Sequence, residues 1–283
     1  MSVPSTTRDP NSYPVVAVII PCHNHGNYVT HAINSVLEQN YQSKMLSVVD
    51  DGSTDNSLSV LRGRMTEVHE EHEEKNGDQV FVGMCDDTPM ILVHRPEARK
   101  QAAARNTAIQ LAWKSADMFC QLDADDLYLP GKLDKSVAAM QKDPNFIGLV
   151  YSDAFIYDMR DDTLVHELRP PFDRTHLEHS NIISNAPLMS KMALGYSGLY
   201  DEDLPPCEDW DLWLRITENF LAIHIPEPLQ QYTVTGDNCT FTVSDKRWQE
   251  QWTKVQAKLA QRKQLRYGEQ SQQTYSPDKA PQQ

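Results

Sequence analysis

The spacing of apolar positions changes along the chain, and each change marks an element. Val15 to Ile20 is an unbroken, β-branched apolar run ended by Pro21, the pattern of a strand buried on both faces of a parallel sheet. After the loop Cys22 to Gly26, apolar residues at Val29, Ala32, Ile33, Val36 and Leu37 recur at helical spacing, with Asn24 or Asn27 available to cap the start. Met45 to Val49 reads as the next strand. Gly52 then turns the chain, and Ser53 or Thr54 opens a helix carrying Leu58, Val60 and Leu61. This βαβα rhythm predicts a doubly wound α/β sheet.

Between Glu67 and Asp87 the pattern loosens into HEEHEEKNGD and then QVFVGMCDD, read as an acidic, solvated insertion and a short edge strand. His69 and His72 do not have the spacing of a zincin helix, so no metal site is expected there. Ile91 to Val93 returns to the core sheet, Ala102 to Trp113 is a helix, Met118 to Leu122 a strand and Lys132 to Met140 another helix. A strand at Ile147 to Ser152 is followed by an expected return strand at Ala154 to Tyr157. Arg169 to Ser180, with Pro170 and Pro171, reads as a long loop over substrate. Glu208 to Phe220 is helical, and Ala222 to Ile225 is a short strand ended by Pro226.

The C-terminal region differs in kind. Over residues 244–266, Trp248, Trp252, Val255 and Leu259 form an apolar stripe on a helix that is otherwise mostly basic and polar. Such a helix usually docks on its own domain, and the alternative is peripheral contact with an anionic membrane surface. Residues 267–283, rich in Gln, Ser and Pro, are expected to be disordered. No apolar run approaches the roughly 18 residues needed to cross a bilayer. A net charge of −14 argues against a nucleic-acid partner, which would require a basic face. Five scattered cysteines, without a C-x-x-C pair, indicate neither a disulfide framework nor zinc, and a cytoplasmic location fits them best.

The chemistry is written in acids at strand ends. Asp123, Asp125 and Asp126 follow the apolar lead Met118, Phe119 and Leu122, and carboxylates that close together repel unless a hard cation such as Mg²⁺ or Mn²⁺ neutralises them. Asp50 and Asp51 end a second strand, and Glu208, Asp209 and Asp211 form a third cluster. In an open α/β sheet, ligands bind outside the carboxyl ends of the strands, where Pro21 to Asn24, Asp50 to Ser53 and Asp123 to Asp126 converge. Neither a G-x-G-x-x-G nor a G-x-x-x-x-G-K-[ST] loop occurs, so phosphate is expected to be held by metal or by Arg95, Arg99, Lys100 and Arg105. Metal-bridged acids beside basic residues suggest a nucleoside diphosphate.

Five motifs in order resemble those of the inverting nucleotide-sugar glycosyltransferases of family two. They are VVAVIIPCHN with YVTHAINSVLEQNY, then SVVDDGSTD, AAARNTAI, QLDADDLYLPGKL with its D-x-D, and GLYDEDLPPCEDWDLWLRI with its Glu-Asp pair. The resemblance implies a GT-A fold: a doubly wound, mixed and mostly parallel sheet flanked by helices in a single catalytic domain at 14–243. Residues 14–126 would form the donor half and 127–243 the acceptor half. It further implies that Pro21, Asn24, Asp50, Asp51, Arg105, Asn106 and Asp123 serve the donor nucleotide, with uridine as the expected base. Asp125, with Asp123, would hold Mn²⁺ or Mg²⁺ on the diphosphate. Asp209 would be the general base for the acceptor hydroxyl, with Glu208 and Trp210 on the acceptor side, whereas Trp213 reads as core. Asp126 is the least defined of the triplet and could cap the following turn.

One departure stands out. Relatives carry a Tyr-Arg-x-His stretch where this chain has Tyr232, Thr233, Val234 and Thr235, so both charged groups are missing. His224 or a residue of 176–179 is the expected substitute, failing which diphosphate grip would be weaker. The competing readings are a nucleotide- or glycan-binding module without turnover, and a sugar nucleotidyltransferase. The latter lacks its glycine- and base-rich triphosphate loop near Val18 to Asn24.

Overall fold

The computed structural model describes residues 13–74, 76–236, 238 and 242–273. Strand β1 (Val16–Cys22) decides where the core lies, because its side chains alternate between two apolar layers. Ala17 and Ile19 join one, and Val16, Val18, Ile20 and Cys22 join the other, all fully or almost fully buried. Helices α1 (Val29–Leu37), α2 (Ser57–Arg64) and α4 (Lys132–Met140) close the second layer through Ile33, Val36, Leu61, Leu133 and Met140. The first layer is closed by α3 (Gln101–Ala112), α5 (Arg174–His179), α6 (Lys191–Ser197), α7 (Glu208–Ile216) and α8 (Asp245–Gln273). Trp213, fully buried on α7, is a core residue as its pattern indicated.

The sheet has 11 strands in the order β3-β4-β5-β2-β1-β6-β10-β8-β11-β7, with β9 paired to β8. These are β2 (Lys44–Asp51), β3 (Glu67–Glu73), β4 (Gln79–Cys85), β5 (Thr88–Arg95), β6 (Met118–Gln121), β7 (Leu127–Tyr128), β8 (Ile147–Asp158), β9 (Thr163–Glu167), β10 (Leu188–Ser190) and β11 (Leu221–Val234). The pairs β1–β2, β1–β6, β2–β5 and β8–β11 are parallel, while β4, β7, β9 and β10 run against their neighbours. This is the expected mixed α/β sheet flanked by helices.

Several local expectations are corrected. The stretch containing HEEHEE is a strand, β3, although every residue of it is exposed. Backbone pairing to β4 holds it, and Gly83 of β4 permits the approach, since a Cβ there would lie 1.8 Å from the Glu67 carbonyl oxygen. An edge with four glutamates and two histidines also disfavours edge-to-edge pairing. Ala154 to Tyr157 continues β8 instead of returning, and the return strand is β9. The 169–180 segment is not one long loop. It contains α5, capped by Asp173, whose Oδ1 accepts from the His176 backbone N–H at 2.6 Å. Strand β11 runs on through Pro226 and Pro228 by shifting register around them, as strands must where a ladder donor is missing.

The stripe of α8 lies against the body. Val255 and Leu259 are buried in the first layer, and Gln256 Nε2 donates to the Glu178 carbonyl at 2.9 Å. Arg262 bonds Glu218 at 2.7 Å and Asp211 at 3.2 Å, so part of its basic face meets acids of the fold. The helix extends past Arg266 to Gln273, and residues 274–283 of the predicted tail lie outside the described residues. No helix among the described residues is long and apolar enough to cross a membrane.

Candidate active site

Because β1 pairs in parallel with both β2 and β6, the loops leaving their carboxyl ends share one rim. A cavity of ≈ 300 Å³ opens there, and Pro21, Asp51, Arg105, Asp123, Asp125, Glu208 and Asp209 all line it. The carboxylates of the sixth strand and those of α7, far apart in sequence, therefore border the same space.

Asp51 is buried at the rim. Its carboxylate accepts from Arg95 Nη1 at 2.8 Å and, through both oxygens, from the Arg99 backbone N–H at 3.0 Å. Gly52 makes this possible: its φ is +66°, and a Cβ would lie 2.4 Å from the Ala98 nitrogen. Asp50 is fully buried and does not line the cavity; His94 Nδ1 donates to its Oδ2 at 2.7 Å. Asn24 is likewise off the cavity, in a left-handed conformation with φ 57°. Its Oδ1 accepts from the Thr54 backbone N–H at 2.8 Å, tying the β1 loop to the β2 loop. Asn106 is turned away as well, gripping Tyr200 through two bonds of 2.9 Å. These three residues make hydrogen bonds within the protein in this geometry.

Three of the four basic residues expected to hold phosphate are engaged by acids. Arg95 is spent on Asp51 and Thr107, and Arg99 on Asp78 at 3.0 and 2.6 Å. Arg105 is buried, donating from Nη2 to Asp123 Oδ1 at 2.8 Å and from Nη1 to Glu208 Oε1 at 2.9 Å. It thereby locks α3 to both acidic clusters.

Asp123 also accepts from Gln101 Nε2 at 3.1 Å. Asp125 has a different environment: burial and the nearby Asp123 charge push its carboxyl up to about 6, with His25 opposing them. His25 Nε2 lies 3.7 Å from Asp125 Oδ2, and Asn238 Nδ2 donates to the same oxygen at 3.1 Å. Asp126 is a brace. It accepts from the Thr233 backbone N–H at 2.8 Å and from Asn185 at 2.6 Å, and burial with the Asp125 charge raises its carboxyl well above the usual range.

The expected substitutes for the missing charged pair are elsewhere. His224 Nε2 donates to Asp153 at 2.8 Å and stacks on Tyr151, and His179 bonds the Thr175 carbonyl at 2.8 Å. Instead, His25 from the β1 loop and Asn238 from the segment after β11 reach Asp125. Thr235 donates its backbone N–H to Asn238 Oδ1 at 2.8 Å, and Asn238 Nδ2 donates to the Thr233 carbonyl at 2.9 Å, so the two threonines present the asparagine. Both residues escaped sequence reading, although His25 stands in the quoted loop after Pro21.

At the start of α7, Asp209 accepts from Asn181 Nδ2 at 3.2 Å and from the Trp210 backbone N–H at 2.6 Å. Burial raises its carboxyl above the ordinary value against the pull of Arg105, and Glu208 is raised in the same way. Trp210 is oriented by its indole N–H, which donates to the Leu177 carbonyl at 2.6 Å. Among the described residues, no group of three or more His, Cys, Asp or Glu side chains is arranged as a complete metal cage.

Comparison with known families matches this chain to Glycosyl transferase family 2 over residues 17–189. An uncharacterised glycosyltransferase of Rickettsia felis is 27% identical over 233 residues, covering 76% of this chain and 33% of that protein. Among solved structures, S. aureus TarS 1-349 in complex with UDP superposes with a TM-score of 0.64 at 16% identity, covering 87% of this chain and 65% of that one. The mannosyltransferase PcManGT of Pyrobaculum calidifontis, in complex with GDP-Man and Mn²⁺, gives 0.59 at 22% identity, covering 83% and 61%. The chain spans about a third of the length of the Rickettsia felis relative.

Proposed function

The chain belongs to glycosyl transferase family 2, and on that premise we propose that it moves a sugar from a nucleoside diphosphate donor to an acceptor hydroxyl with inversion at the anomeric carbon. The observation that carries the reading is that Asp125 and Asp209 line one cavity. Uridine is the proposed base, supported by the shared fold with the UDP-bound S. aureus protein.

The donor set suits a hard divalent cation. Asp125 carries a buried carboxylate beside Asp123, and its nearest basic group is an imidazole 3.7 Å away. Asp125, with Asp123, would hold Mn²⁺ or Mg²⁺, hard cations that take oxygen ligands. Such an ion supplies Lewis-acid stabilisation of charge on a departing diphosphate.

The chain's own residues do the rest. Pro21 and Asp51 border the space for the nucleoside. Arg105 fixes Asp123 relative to Glu208, keeping the donor and acceptor sides in register. Asp209 accepts the acceptor's hydroxyl proton as the oxygen bonds to the anomeric carbon, on the face opposite the bond to diphosphate that breaks. Its raised proton affinity suits that task, and Asn181 and the Trp210 N–H hold the carboxylate in orientation.

A donor screen by thermal shift tests the donor half. A uridine diphosphate sugar is expected to raise the melting temperature only with Mn²⁺ present, and Asp125→Ala to abolish the rise. A shift of equal size without metal, or one retained in Asp125→Ala, contradicts the proposal.

A further inference from the structure

A second cavity, of ≈ 570 Å³, lies beside the first, with Asp209, Pro206 and Trp248 lining both. Its outer wall is one face of the first turns of α8: Asp245, Trp248, Gln249 and Trp252 all line it, at the i, i+3, i+4 and i+7 positions that share a helix face. Trp210 contributes from α7, and Asn181 adds a further amide. The volume falls in the range of small-molecule binding sites.

The chemistry of the wall is selective. Three indoles offer flat apolar surfaces, and among them stand two carboxylates and two amides that can exchange hydrogen bonds with hydroxyls. A pyranose ring has that dual character, with an apolar C–H face and a polar rim. An acyl chain would leave Asp245, Gln249 and Asn181 facing hydrocarbon at a cost. No lysine or arginine is among the lining residues, so nothing there offsets the charge of a phosphate or a uronate. Trp252 also remains 37% exposed, whereas Val255 and Leu259 further along α8 are buried. Trp248 packs against the first layer while bordering the cavity, so the helix docks through Trp248, Val255 and Leu259 and leaves Trp252 the more open to the cavity.

We propose that this cavity is the acceptor subsite and that the acceptor is a neutral oligosaccharide, its ring stacked on Trp248 and Trp252 and its reacting hydroxyl directed to Asp209. The proposal rests on the glycosyltransferase reading and adds to it the acceptor class and the part α8 plays in recognition.

The test titrates the full chain with neutral oligosaccharides of glucose, galactose, mannose and N-acetylhexosamine units, following tryptophan fluorescence and ligand saturation-transfer NMR. Glucuronate-containing oligosaccharides and a dodecyl-chain detergent are run beside them. UDP with Mn²⁺ is titrated separately by calorimetry, so that the donor half is read independently. Expected is saturable binding of at least one neutral oligosaccharide, weakened about tenfold or more by Trp252→Ala, the scale on which truncating a tryptophan anchor acts. UDP affinity should be the same in wild type and variant. Trp252→Phe should recover part of the loss, since a flat ring is kept. If UDP binds but no neutral oligosaccharide does, or Trp252→Ala binds it as well as wild type, the inference fails while the donor reading stands. Preferential binding of the acidic oligosaccharides or of the alkyl chain overturns it too. Failure of UDP itself to bind overturns the uridine donor reading, and the inference falls with it only if no neutral oligosaccharide binds either.

Discussion

Arg105 donates to Glu208 at 2.9 Å across 103 positions of the chain, in a place where both side chains are almost wholly shielded from water. Its other amine holds Asp123, so one guanidinium sets the spacing between the acids of the β6 loop and those of α7. A planar fork is suited to this, because it presents two donors in fixed directions.

Removing that fork should be costly. Arg105→Ala leaves the buried Glu208 and the half-buried Asp123 without their cation, and a loss of about 3–5 kcal/mol is expected in denaturant unfolding. Arg105→Lys keeps the charge but loses one of the two directed bonds, and should fall between wild type and alanine.

The pH dependence of metal binding follows from Asp125. Burial and the Asp123 charge push its carboxyl up to about 6 in the folded, metal-free chain. A cation must displace that proton, so Mn²⁺ affinity should fall as pH is lowered through about 6. For stability the sign is opposite. A carboxyl raised on folding contributes stability that is fully present below its unfolded value and is lost as pH rises through its folded value. Asp125→Asn should therefore raise the melting temperature of the metal-free protein near pH 7.5 and abolish its response to Mn²⁺. Melting curves from pH 5 to 8, with and without Mn²⁺, check both.

His25→Ala should weaken Mn²⁺ binding by about tenfold or more, as expected when a group that shapes a metal site is removed. His179→Ala, in the segment that the sequence suggested as a substitute, should leave the affinity unchanged. Calorimetry with Mn²⁺ alone distinguishes the two.

What could be read from the chain, and what could not, divides along physical lines. Strand β1 was legible because burial on both faces writes a continuous apolar run, and the acids after β6 were legible because they interrupt an apolar lead abruptly. The helix of α7 carried both a buried Trp213 and an acidic first turn, each visible in its spacing. By contrast, β3 has no apolar residue except Val68 and is held by backbone bonds that leave no mark on side-chain pattern. His25 and Asn238 meet Asp125 only because loops of distant strands converge, and no local periodicity records such a meeting. Asp50, Asn24 and Asn106 bond to other residues of the protein, and a sequence does not distinguish a polar residue that braces a loop from one that lines a cavity. The stripe on α8 was visible, but which of its residues dock and which border a cavity depends on where α7 ends up.

The central claim is that Asp209 removes the acceptor's proton across the cavity from Asp125. Transfer from a uridine diphosphate sugar in the presence of Mn²⁺ should drop by about 10²–10⁴-fold in Asp209→Asn, the range in which a positioned general base acts, with donor affinity and melting temperature close to wild type. Transfer by Asp209→Asn at the wild-type rate would contradict the account.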